Sequence, residues 1–127
     1  MKTLHPFSMI HISNEGDTLY VGWLPSNELL VGIDRDWSAG LCQILGADNA
    51  GSLNDALRCR DNAKINESVL KVTRTNRGEP YRDGMEICIG DWTRGSAEIF
   101  IEDSRLTDIC DVIEKGLPDP STDVTGP

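Results

Sequence analysis

GMEICIGDWTRGSAEIFIEDSRLTDICDVIEKGLP, Gly84 to Pro118, is the stretch whose reading decides the fold class. Met85, Ile87 and Ile89 alternate with Glu86, Cys88 and Gly90; Ala97, Ile99 and Ile101 alternate with Glu98, Phe100 and Glu102. Successive side chains of a strand point to opposite faces, so this alternation predicts a hairpin with one buried face. The turn, Asp91 to Gly95, ends on a glycine that can take a positive φ. Asp103 or Ser104 offers a side-chain oxygen to the first amides of a helix. Leu106, Ile109, Cys110, Ile113 and Leu117 then recur at helical spacing as one apolar stripe. Lys115 suits the last turn, Gly116 is expected as a left-handed terminator, and Pro118 blocks continuation. The helix is expected to lie across the apolar face of the hairpin.

Working back from there, Met9–Ser13, Thr18–Leu24 and Leu29–Asp34 read as three strands joined by the turns Asn14–Asp17 and Pro25–Glu28. The links are too short for crossovers, which predicts an antiparallel meander. Two short central helices are expected. One is capped by Asp36 or Ser38 and runs to Leu45, with Trp37, Leu41, Ile44 and Leu45 on one face. After a loop over Ala47–Gly51, the other starts at Ser52-Leu53-Asn54-Asp55 and frays near Ala63. Val69–Thr75 is a β-branched strand leading to the terminal hairpin. The fold class is therefore α+β: an antiparallel sheet made of an N-terminal three-stranded meander and C-terminal strands, two short central helices, and a C-terminal amphipathic helix packed on the sheet. Residues 1–117 read as one domain and 118–127 as a mobile polar tail. No internal repeat is visible.

The 127 residues carry 21 acidic and 12 basic side chains, a formal charge of −9. That balance argues against direct nucleic-acid binding, which relies on Lys and Arg neutralising phosphates, and favours a protein partner with a basic surface. The start of the chain has no sustained apolar run and no stretch is long enough to span a membrane, so a cytoplasmic protein with Cys42, Cys59, Cys88 and Cys110 reduced is expected.

Two clusters stand out. Arg58 to Arg77 holds six basic residues against two acidic ones, a local charge of +4 that leaves −13 for the rest of the chain. Arg74, Asn76 and Arg77 could supply guanidinium forks and an amide to an anionic, nucleotide-like ligand; the alternative is that these arginines pair with nearby carboxylates. The second cluster is acidic: Glu98 and Glu102 on the hairpin, then Asp108, Asp111 and Glu114 on the helix, a rigid frame that could dock on a basic protein. Trp92 and Arg94 in the hairpin turn are of the types enriched at interface centres.

No metal site, cofactor site or catalytic group is expected: His5 and His11 are the only histidines, no C-x-x-C spacing occurs, and Cys59 has no histidine near it in sequence. Size and charge, by analogy only, place the chain among non-catalytic binding proteins, such as inhibitors, immunity proteins and anti-defence proteins. A small-ligand binder and a small enzyme are the alternatives. A homodimer is compatible with each, since a meander leaves an edge strand to be covered.

Overall fold

The computed structural model describes residues 9–35, 38–67, 69–77, 82–91 and 95–117. The meander reading extends further than the sequence suggests. Strands β1 (Ile10–Asn14), β2 (Asp17–Trp23), β3 (Leu29–Arg35) and β4 (Ser38–Leu45) pair antiparallel in chain order and are followed by helix α1 (Ala47–Cys59). Strands β5 (Ala63–Ile65), β6 (Leu70–Arg77), β7 (Arg82–Asp91) and β8 (Gly95–Glu102) form a second antiparallel sheet in the same order, followed by α2 (Asp103–Gly116). The chain is thus α+β, built as two successive ββββα units.

Turn chemistry sets the first register. Glu15 and Gly16 both have positive φ, 52° and 86°, which gives the two-residue turn whose twist matches a hairpin. Between β2 and β3, Pro25 occupies the first corner. Leu24 O accepts from Asn27 N at 2.9 Å, and Asn27 takes the left-handed conformation that asparagine tolerates. These turns put Leu19, Val21 and Trp23 opposite Ile33, Val31 and Leu29 on one face.

The two sheets do not share a plane. β8 touches all four strands of the first sheet. Its start, Gly95, faces Leu41 to Gln43 of β4, and its end, Phe100 to Glu102, faces Ile12 to Asn14 of β1. In between, Arg35 Nη1 donates to Ser96 O at 3.0 Å. β8 therefore crosses the first sheet, an orthogonal packing. The inner faces of both sheets, with Leu53 and Leu57 of α1 and Leu106, Ile109 and Ile113 of α2, form one continuous buried cluster. Burying Leu- and Ile-sized side chains at roughly 1.5–3 kcal/mol each is what holds sheets and helices together.

Several expectations are corrected. Residues 38–45 are an edge strand, not a helix. Leu41, Ile44 and Leu45 do recur at helical spacing, but pairing with β3, from Leu29↔Leu45 to Ile33↔Leu41, overrides it. Gly40 belongs to that pairing, because a Cβ there would run into Ile33 O and the Asp34 side chain beside a register shift in β3. There is one central helix. It begins at Ala47, not Ser52: Gly46 is extended and accepts from Ala50 N at 2.9 Å, and Asp48 sits favourably in the first turn. Ser52 lies inside it. The expected single sheet is two, β5 is an additional strand, and the meander has four strands. The repeat escaped notice because the two units share an alternation pattern and not a residue pattern.

Gly116 is the last residue of α2, and the residue after it is extended (Leu117, φ −73°). Its role is close approach: a Cβ at Gly116 would lie inside the indole of Trp23. Trp23 Nε1 donates to Val112 O (3.0 Å) and Ile113 O (3.1 Å), so the indole itself satisfies carbonyls of the helix's final turn. The predicted hairpin tip, with Trp92 and Arg94, and the tail 118–127 lie outside the described residues.

Candidate functional site

The basic and acidic stretches singled out in the sequence meet in space. Arg58, on α1, donates from Nε to Glu114 Oε2 (2.8 Å) and from Nη2 to Glu114 Oε1 (2.8 Å) and Asp111 Oδ1 (3.0 Å). Asn54, one turn back on α1, donates to the same Glu114 Oε2 at 2.9 Å. This clamp ties α1 to α2. The Arg58 fork and the Asn54 amide hold the Glu114 carboxyl down at about 2, and the carboxylates push the Arg58 guanidinium up.

A second node forms at Asp103. Arg74 Nη1 and Nη2 both reach its carboxylate, the latter at 3.0 Å, and Arg60 Nε approaches Oδ1 at 3.2 Å. The Arg74 bonds, ahead of the Arg60 charge, hold the Asp103 carboxyl below its ordinary range. The predicted helix-capping role of Asp103 therefore gives way to ion pairing, and no side-chain cap bond closes the start of α2. Arg74 is further fixed by Gly84 O at 3.3 Å, and its backbone N–H by Asn62 Oδ1 at 2.7 Å. Two more pairs lie nearby: Arg82 with Glu102 (3.2 Å), its guanidinium 6.0 Å from the Phe100 ring centroid, and Arg105 with Asp108 (3.1 Å).

Of the five candidate acidic residues, Glu102, Asp108, Asp111 and Glu114 are therefore engaged by the chain's own arginines. Of the candidate anion-binding residues, Arg74 is engaged by Asp103, Asn76 is exposed on β6, and Arg77 ends β6 opposite Arg82. Exposed pairs of this kind contribute at most about 1 kcal/mol each. Their sign gives a prediction. Glu114 has a folded pKa near 2 against an ordinary 4.5, so its contribution is complete above about 4.5 and is lost as pH falls toward 2. The melting temperature should decline over that window, and Glu114→Gln should flatten part of the decline. An identical pH profile for the variant would show that the clamp contributes nothing.

Glu98 is placed differently. It is exposed on β8 and lines a cleft of about 180 Å³ between the two units, with Asn14, Glu15 and Asp17 from the first hairpin, Arg35 from the end of β3, and Glu86 from β7. Four carboxylates share this cleft with one guanidinium. Sequence reading singled out only Glu98, because the others come from separate stretches and Asn14–Asp17 registered only as a turn. Phe100 and Ile99 form the apolar part of the wall.

Among the described residues no group of three or more His, Cys, Asp or Glu is arranged to hold a metal ion, and no helix is long and apolar enough to cross a membrane. The four cysteines are free. Cys110 is buried in the core as expected, where desolvation pushes its thiol up to about 11, whereas Cys42 is exposed on β4. Arg58 and Arg60, which flank Cys59, are turned toward carboxylates. No protein-family model matches the chain, and no curated protein matches it.

Proposed function

We propose that the chain is a non-catalytic protein-binding module, of the inhibitor or immunity type, that docks on a basic surface of a partner protein. The observation that carries this reading is the cleft between the two units, whose described lining holds the carboxylates of Glu15, Asp17, Glu86 and Glu98 and the one guanidinium of Arg35. The acidic groups of α2 are satisfied internally and offer a partner little new Coulomb energy. The cleft groups retain a net negative charge at a rigid junction, with Phe100 and Ile99 beside them to exclude water, the combination that strengthens charge pairing in an interface. A phosphorylated ligand at Arg74 would have to displace the Asp103 carboxylate, so protein binding is preferred over the small-ligand reading.

The test is affinity capture from host lysate followed by native mass spectrometry, run in parallel on the wild type and on Asp17→Lys/Glu98→Lys. A partner held by the wild type, lost from the double variant and eluted by salt supports the reading. Equal capture by both proteins rejects the cleft as the docking site. Both positions are at the surface or half-buried, so thermal stability should change by less than about 0.5 kcal/mol.

A further inference from the structure

Among the described residues the outer face of the first sheet differs in charge from that of the second. Across β1 to β4 the register aligns His11, Tyr20, Gly32 and Cys42 in one row and, next to it, Leu30 with Ile44. The tip of the Tyr20 ring lies against Gly32, where an added Cβ would overlap it. His11 meets Tyr20 edge-on, ring centroids 6.2 Å apart. Ile44 is 49% exposed, the one large apolar side chain so exposed among the described residues. Among the described residues Asp34 is the face's single formal charge. The outer face of the second sheet, by contrast, carries Lys64, Lys71, Glu86 and Glu98.

The neutral face runs out to β4, an edge strand that meets the second sheet where Leu41 to Gln43 lie beside Gly90 and Gly95. β4, SAGLCQIL, contains no charged residue and no proline, the usual devices by which edge strands avoid partners. β5, an outermost strand of the second sheet, is three residues long and carries Lys64.

We infer that the outer face of the first sheet, centred on Tyr20 and Ile44, is a self-association surface that packs on the same face of a second copy. Charge selects the occupant. Two copies of net charge −9 repel one another over most of their surfaces, and they can meet at low electrostatic cost only through a face that carries almost no charge. A basic partner is drawn to the acidic cleft and gains nothing here. A twofold pairing is self-complementary by construction.

The inference does not depend on the protein-binding proposal, and the two respond to salt in opposite directions. Attraction to a basic partner weakens as salt screens it. Self-association through a neutral face strengthens, because salt screens the repulsion between two acidic copies. Sedimentation velocity on the full chain, at about 0.1 M and about 1 M NaCl, where the screening length falls from roughly 10 to roughly 3 Å, reads the self-association by itself. The expected result is a dimer that tightens with salt and whose dissociation constant rises at least about tenfold in Ile44→Glu, through loss of a buried side chain and a new buried charge. Ile44→Val should remain dimeric, and since position 44 is exposed, both variants should melt like the wild type. A monomeric wild type at about 0.5 mM, more than two orders of magnitude above a micromolar dimer constant, overturns the inference. So does a dimer indifferent to Ile44→Glu, or one that dissociates as salt rises.

Discussion

Trp23→Ala should destabilise the protein by about 3–5 kcal/mol, the range for removing a buried aromatic from a close-packed core. Trp23 is 5% exposed and is the meeting point of the two units. Its ring lies against Gly116, and its N–H serves the carbonyls of Val112 and Ile113, while its backbone belongs to β2 and pairs with Leu29. Truncation leaves a cavity under the last turn of α2 and returns two carbonyls to an apolar site without their donor. Urea unfolding checks this: the midpoint should fall with the slope unchanged. Trp23→Phe separates the two contributions. It restores most of the volume but not the donor and should cost about 1–3 kcal/mol. Equal losses for Ala and Phe would mean that the hydrogen bonds carry the whole effect. No loss in either would mean that α2 is held by its other contacts alone.

Gly90→Ala should be the next most damaging change, by about 3 kcal/mol or more. Gly90 sits near the end of β7 with φ +115°, a region closed to L side chains without strain. An added Cβ would also collide with Gly95 O and Ser96 Cα on the neighbouring strand, which is backbone and cannot swing away. Gly90 N additionally donates to Val69 O at 2.9 Å, so a shift of the strand breaks the link between β7 and the start of β6. Gly51→Ala is the informative contrast. Gly51 lies in α1 with open space where a Cβ would go, and replacing it should stabilise by about 0.5–1 kcal/mol, since alanine loses less backbone entropy in a helix. Opposite signs for two Gly→Ala changes in one melting series would show that local geometry, and not glycine content, sets stability here. Two changes of the same sign would refute that account.

Much of the architecture was legible in the chain because it is local. The alternation in Met85–Ile89 and Ala97–Ile101, the turn over Asn14–Asp17 and the apolar stripe of α2 are each set by neighbours within a few residues. Each appears in the structure where the pattern put it. Local reading failed where two periods compete. Residues 38–45 hold apolar side chains at helical spacing, and only the presence of β3 alongside makes them a strand. Gly116 shows the same limit from another side: a glycine after a helix commonly takes the left-handed conformation, but here it is small so that Trp23 can reach the helix, a contact that exists only after both units have folded.

The candidate site divides in the same way. Composition alone determined that the chain is acidic and that its positive charge is concentrated between Arg58 and Arg77. Only the tertiary structure decided which charges meet one another. It brings Arg58 onto Glu114 and Arg74 onto Asp103 and so draws the two most conspicuous clusters into each other, while Glu15, Asp17, Glu86 and Glu98 assemble from separate stretches at the junction of the sheets. The reason is physical: patterns of period two or 3.6 are written along the chain, whereas Coulomb pairing acts over a few ångströms of space and is blind to distance in sequence.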